Sequence, residues 1–349
     1  MTIAGVAGAL PPHYYPQDVL LAALSGYWED RLENPLLLKR LHWHTGVGGR
    51  YLAVPLERYY ELKTWGQSND VWIDTALDLG QKAIGCALQR AGLVPEDVGA
   101  LFFVSVTGVA SPSIDARLMN RMPFPRNMKR NPIFGLGCVA GAAGIARASD
   151  YVRAFPDQVA VLLSVELCSL TLQRADLSVA NLISSGLFGD GAAAVVIAGA
   201  ERHLDGPRIL ATQSTFYPGT EDVMGWDISE NGFQIVLSRE VPDVIRKNLG
   251  GDLDRFLAGH GLTRKDIGSW IMHTGGPKVL EATADAIGAT RDELAASWES
   301  LNKVGNLSSA SVLLVLEDVM TKRRPAPGTF SVLAAAGPGF CSELVLLKW

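Results

Sequence analysis

A chain of 349 residues, 48% hydrophobic and 19% charged, is long enough for two fused halves and too apolar for disorder. Its net charge of -5 excludes the basic footprint of a nucleic-acid binder. No apolar run reaches the ~18 residues of a membrane span, and the opening MTIAGVAGALPPHYYP lacks the basic start and apolar core of a secretory signal. The chain therefore reads as a soluble cytoplasmic protein.

In chain order, nearly continuous apolar stretches at 99–105, 159–165, 192–198, 268–273, 329–335 and 342–348 predict strands buried on both faces. Helical patterns fall between them at 74–91, 141–154 and 307–321. Alternation of this kind implies an α/β architecture with helix-covered sheets.

An internal repeat runs through this pattern. Gly92-Leu93 followed by Asp97-Val98-Gly99 leads into a strand, and so does Gly261-Leu262 followed by Asp266-Ile267-Gly268. Cys138 comes some 46 residues after Gly92, and Asn306 some 45 after Gly261, each behind a glycine and ahead of a helix. Two related halves follow, roughly 1–200 and 201–349. Pseudo-twofold symmetry would bring Cys138 and Asn306 together.

The cysteines are Cys86, Cys138, Cys168 and Cys341; none forms a CxxC pair, and no histidine cluster accompanies them. Neither a structural metal nor a disulfide framework is expected. Cys138 precedes a helix rich in Ala and Gly. A thiol at a helix start fits two roles: a small buried hydrophobe, or a reactive group whose pKa is lowered by unpaired N–H donors. His273 ends the run SWIMH and opens onto Thr274-Gly275-Gly276-Pro277. There it either caps a loop or presents an imidazole at the carboxyl edge of a sheet, where α/β proteins bind ligands. Asn306, ahead of Leu307-Ser308-Ser309, is an ordinary helix cap or a side-chain donor to a reacting oxygen. Together, cysteine, histidine and asparagine suit acyl transfer and decarboxylation, with the imidazole holding a thiolate and two donors stabilising an enolate.

The segments GLGCVAGAAG, LFGDGAAAVV, HTGGPKVLEA, GNLSSASVLLVLEDV and AAGPGF resemble, in order and spacing, the chalcone synthase-like type III polyketide synthases. The resemblance is strongest to bacterial members that make alkylpyrones or alkylresorcinols. It implies a layered, thiolase-like αβαβα fold of two duplicated halves, the first carrying the nucleophile and the second His and Asn. It also implies a homodimer and free acyl-CoA and malonyl-CoA as substrates, with no carrier protein and no further cofactor. The catalytic roles pass to Cys138, His273 and Asn306. Phe188 matches a gatekeeper phenylalanine, whereas Ile235 replaces a second one, suggesting an aliphatic entrance. Thr171 and Ser308 fall on cavity positions. Trp226 stands where plant members carry a glycine that sets chain length. Ser111 replaces a residue that crosses the dimer, and Pro338 lies in a loop shaping the cavity wall. Arg40 aligns with a basic residue that meets CoA phosphates, with Lys39, His44 and Lys278 as looser candidates.

The expected reaction is decarboxylative extension of an aliphatic acyl starter on Cys138, closing to an α-pyrone or resorcinol. A ketoacyl synthase of fatty-acid initiation would carry His-Gln-Ala-Asn in place of His273-Thr274-Gly275-Gly276. A degenerate scaffold would lack one of the three catalytic residues. A Cys/His/Asn protease would lack the repeat.

Overall fold

The computed structural model describes residues 1–28, 31, 32, 34 and 36–349. The first third runs β1 (Thr2–Ala9), β2 (His13–Pro16), α1 (Gln17–Trp28), α2 (Leu36–Trp43), β3 (Gly49–Leu52), α3 (Leu56–Tyr59), α4 (Trp65–Arg90), β4 (Val98–Ser105) and α5 (Ile114–Leu118). Next come β5 (Lys129–Phe134), α6 (Ala140–Ala154), β6 (Val159–Leu167), α7 (Val179–Leu187), β7 (Asp190–Ala198), β8 (Arg208–Phe216), β9 (Met224–Ser229) and β10 (Gly232–Leu237). The chain closes with α8 (Val241–Ala258), β11 (Ile267–Met272), α9 (Pro277–Ile287), α10 (Ala295–Val304), α11 (Ser311–Thr321), β12 (Phe330–Gly337) and β13 (Cys341–Lys348). Every strand expected from the apolar runs is present. β1, β5 and β8 were not expected, because their runs are short of bulky apolar residues or interrupted by polar ones.

Nine strands hydrogen-bond in the order β11-β12-β13-β8-β1-β7-β6-β4-β5. The order contains the repeat. In the first half β4 is parallel to β6, β6 antiparallel to β7, and β7 antiparallel to β1. In the second, β11 is parallel to β12, β12 antiparallel to β13, and β13 antiparallel to β8. The halves join where Thr2 of β1 pairs with Arg208 of β8.

Alternating side chains show how the strands are covered. On β6, Val161, Leu163 and Val165 face α4, whereas Ala160 and Leu162 face a central layer of α6 and α11. On β12, Leu333 and Ala335 face that same central layer, and Val332 and Ala334 face α8 and α9. Five layers result, helix–sheet–helix–sheet–helix, which is the thiolase-like arrangement. Strands covered on both faces need apolar residues at every position, each worth roughly 1.5–3 kcal/mol when buried.

The central layer explains the small residues of α6. A Cβ on Gly141 would stand 2.2 Å from Ser309 O, and one on Gly144 2.4 Å from Leu162 Cδ1. The repeat motif itself is a helix terminator. Gly92 and Gly261 take left-handed φ of 67° and 70°. Behind them Leu93 N bonds Leu88 O at 2.9 Å, and Leu262 N bonds Leu257 O at 3.0 Å. Both are Schellman-type ends of α4 and α8. Asp97 and Asp266 then accept from Val94 N and Thr263 N, capping the turn into each strand.

Candidate active site

Cys138 lies in a 3₁₀ turn, Gly137–Val139, that runs into α6. Gly135 and Gly137 hold positive φ of 95° and 56°, conformations that favour glycine. A Cβ on Gly137 would also meet Pro338 Cδ at 2.5 Å, so Pro338 packs directly against the Cys138 turn.

Asn306 approaches from the other half. Its Oδ1 accepts from Ser308 N at 2.8 Å and Ser311 Oγ at 3.3 Å, which orients the amide and caps the turn before α11. The Asn306 side chain lies close enough to Cys138 to favour its thiolate form. Ser308 stands 3.5 Å from Cys138 Sγ and holds a strained φ of 46°. Of the two roles expected for Asn306, the cap is visible in these bonds of Oδ1.

His273 follows β11, with its N bonded to Ala334 O of β12 at 3.0 Å. Ala334 leads along β12 to Gly337, where a Cβ would stand 2.7 Å from Val139 N. The Cys138 turn therefore packs against the end of β12, the strand that pairs with the one leading to His273. The imidazole is buried, and its Nδ1 has no partner among the described residues.

The protonation states differ from the sequence expectation. Burial pushes the Cys138 thiol up to about 12, against hydrogen bonding with Ser308 and Asn306, and the Glu166 carboxylate pushes the same way as burial. Burial lowers His273 to about 4. The lowered thiol expected at a helix start is not found, because loss of water outweighs the helix N-terminus. Thiol and imidazole are both neutral at pH 7.

Phe188 ends α7 and is stitched to Asn306: Asn306 N bonds Leu187 O at 2.9 Å, and Gly189 N bonds Asn306 O at 3.0 Å. Gly305 makes this approach possible, since a Cβ there would stand 2.5 Å from Leu187 O. Trp226 and Ile235 are direct cross-strand partners on β9 and β10. With Phe188, Thr171 and Cys168 they line one cavity, whose far wall is Leu20, Leu24 and Tyr27 of α1. Ser111 is exposed and lines no described cavity of its own chain. Lys39, Arg40 and His44 are exposed on or just beyond α2, and Lys278 is exposed at the start of α9. Gly46, just past α2, lies against Pro277, where a Cβ would stand 3.3 Å from its ring. The basic candidates therefore flank one junction between the end of α2 and the start of α9.

Two buried groups were not anticipated. Glu166 accepts from Ser309 Oγ, from Val106 N at 3.1 Å and from Thr107 Oγ1 at 3.0 Å, and burial raises it to about 7. It ties the turn after Asn306 to the first half. Arg50 of β3 donates from Nη1 to Phe188 O at 2.6 Å. Neither belongs to a motif, and both matter only through burial.

Residues 53–201 match the model of the chalcone and stilbene synthase N-terminal domain, and 208–349 that of the C-terminal domain. The chain belongs to the chalcone and stilbene synthase family. It is similar to a 1,3,6,8-tetrahydroxynaphthalene synthase of Streptomyces peucetius subsp. caesius, at 52% identity over 100% of this chain and 93% of the relative. A 3,5-dihydroxyphenylacetyl-CoA synthase of Amycolatopsis orientalis is 31% identical over 99% of this chain and 93% of the relative. Among solved structures, the tetrahydroxynaphthalene synthase of Streptomyces coelicolor A3(2), a bacterial type III polyketide synthase, superimposes with a TM-score of 0.95 at 33% identity, covering 100% and 99% of the two chains. This family member is accordingly a type III polyketide synthase, an acyltransferase. Among its described residues no helix is long and apolar enough to cross a membrane.

Proposed function

We propose that this synthase builds a polyhydroxylated aromatic ring system from malonyl-CoA, with Cys138 carrying the growing chain. What supports the reading is a buried thiol, Cys138, in contact with Ser308 beside the capped amide of Asn306, together with a buried, unpartnered imidazole, His273, bonded through its backbone to β12, whose end packs on the Cys138 turn. Cys138 would give up its proton to His273 as it attacks the thioester carbonyl, and the CoA thiol would leave. Malonyl-CoA would then enter past Phe188 and lose carbon dioxide while Asn306 and His273 donate to the enolate oxygen. The resulting carbanion would attack the Cys138 thioester carbonyl and expel the Cys138 thiolate, leaving a chain two carbons longer on CoA, which would pass back to Cys138 with release of CoA. Lys39, Arg40, His44 and Lys278 would hold the CoA phosphates at the rim. Ser111 would reach a second copy of the chain in a homodimer, and no cofactor beyond the CoA thioesters would take part.

The product class rests on chemistry written in the relatives' names. Tetrahydroxynaphthalene and the dihydroxyphenylacetyl group, as those names are written, both carry oxygens on alternate carbons of an even-carbon frame, the pattern that repeated two-carbon extension leaves. A second reading, a fatty acyl starter closing to an α-pyrone or resorcinol, is favoured by the aliphatic wall of Leu20, Leu24, Leu52 and Leu56. Each methylene there discriminates by only about 1 kcal/mol. Incubation with malonyl-CoA alone, and with acyl-CoAs of graded length, followed by mass analysis, separates the two. Aromatic product from malonyl-CoA alone supports the first; product only with long acyl-CoA overturns it in favour of the second.

A further inference from the structure

The cavity beside Phe188 contains a feature that an aliphatic chamber does not require. Arg50 is 4% exposed and lines it among leucines and tyrosines. Its Nη1 is taken by Phe188 O, but its Nε has no partner among the described residues. Asp190, the carboxylate whose charge Arg50 feels, spends its oxygens elsewhere, on Ala53 N at 2.6 Å, Ser169 N at 2.8 Å and Ser169 Oγ. On the same lining, Ser184 Oγ is also buried without a partner. A guanidinium kept out of water with a free donor edge costs free energy unless a ligand supplies the acceptor. Its planar fork fits a carboxylate.

We propose that Arg50 is a specificity-determining residue that binds the terminal carboxylate of a malonyl-primed chain, with Ser184 as a second donor. Priming is then acyl transfer without decarboxylation. The Cys138–S bond to the malonyl carbonyl forms, the bond from that carbonyl to CoA sulfur breaks, and the thiol's proton passes to the departing CoA. The carboxylate at the far end is retained and drawn into the cavity against Arg50. A starter held there keeps its charge, whereas an extender whose carboxylate stays at the catalytic donors loses it as carbon dioxide. This inference rests on the malonyl-CoA reading above and names the group that selects the starter.

The test compares wild type with Arg50→Gln, Arg50→Lys and Ser184→Ala, each given malonyl-CoA alone and malonyl-CoA with hexanoyl-CoA, a starter with no distal charge. In Arg50→Gln the malonyl-only product should fall roughly 30-fold further than the hexanoyl-primed product, the scale of a charge-assisted hydrogen bond. Arg50→Lys should recover part of that ratio, and Ser184→Ala should shift it less and in the same direction. Equal falls with both starters would make Arg50 only a prop for Phe188 and overturn the proposal. If Arg50→Gln fails to fold, the ratio in Arg50→Lys and Ser184→Ala decides, a ratio unchanged from wild type being the overturning result. Wild type that makes hexanoyl-primed product but none from malonyl-CoA alone would instead refute the malonyl reading itself.

Discussion

The two halves present the same local device and, in the mechanism proposed above, use it for opposite ends of one reaction. In the first, Gly137 with φ 56° leads through a 3₁₀ turn into α6; in the second, Gly305 with φ 76° leads through the turn Ser308–Ala310 into α11. One turn delivers a thiol, the other an amide pinned by its own cap. The helices behind them meet at Gly141 and Ser309 O, so each turn is rigid because the other is packed against it. Duplication thus supplies two facing helix starts that, in the proposed mechanism, differ in a single side chain, one to attack and one to stabilise.

Replacing each side chain breaks the comparison in a different way. Cys138→Ala should abolish acyl-enzyme formation, read by intact mass after incubation with acyl-CoA, while leaving malonyl-CoA decarboxylation measurable. Continued condensation in that variant would refute the role of the thiol. Asn306→Ala should still load an acyl group but lose about 10²–10³ in kcat for condensation, the range for one oxyanion donor. An equal loss in loading would show that the amide only shapes the turn.

The neutral states of the pair give a pH test. With the thiol at about 12 and the imidazole at about 4, the free enzyme holds little thiolate near neutrality. Alkylation of Cys138 by iodoacetamide should rise about tenfold per pH unit between 7 and 9, following the thiolate fraction. A flat profile would mean a preformed thiolate–imidazolium pair. The smallest effect tests the packing that joins the turns. Gly141→Ala places a methyl against Ser309 O and should cost about 1–3 kcal/mol of stability, seen as a lowered midpoint in denaturant. An unchanged midpoint would mean that the central helices do not hold each other.

His273 adds a linkage that can be checked in the same melts. Its folded pKa lies below the ordinary value of 6.5, so between about 6.5 and 4 the unfolded chain binds the extra proton. Stability contributed by the buried neutral imidazole is therefore full above that window and is lost as pH falls through it.

Much of this protein is legible in the chain because its determinants are local. The strands at 159–165 and 342–348 announce themselves by apolar residues at every position, which only two-sided burial explains. The repeat survives as Gly92 and Gly261 because a left-handed helix end tolerates little else. Family motifs around Cys138, His273 and Asn306 sufficed to name the chemistry. What the chain alone did not decide is electrostatic and long-range. The thiol's position at a helix start pointed to a lowered pKa, but its depth in the protein reversed the direction, and depth is set by packing of distant segments. Arg50 and Glu166 carry no motif, and their meaning comes from partners more than 100 residues away: Phe188 O at a separation of 138, and Ser309 Oγ at 143. Sequence specifies which groups exist and which segments are buried; only packing decides how much water each charge keeps and which donors are left for a substrate.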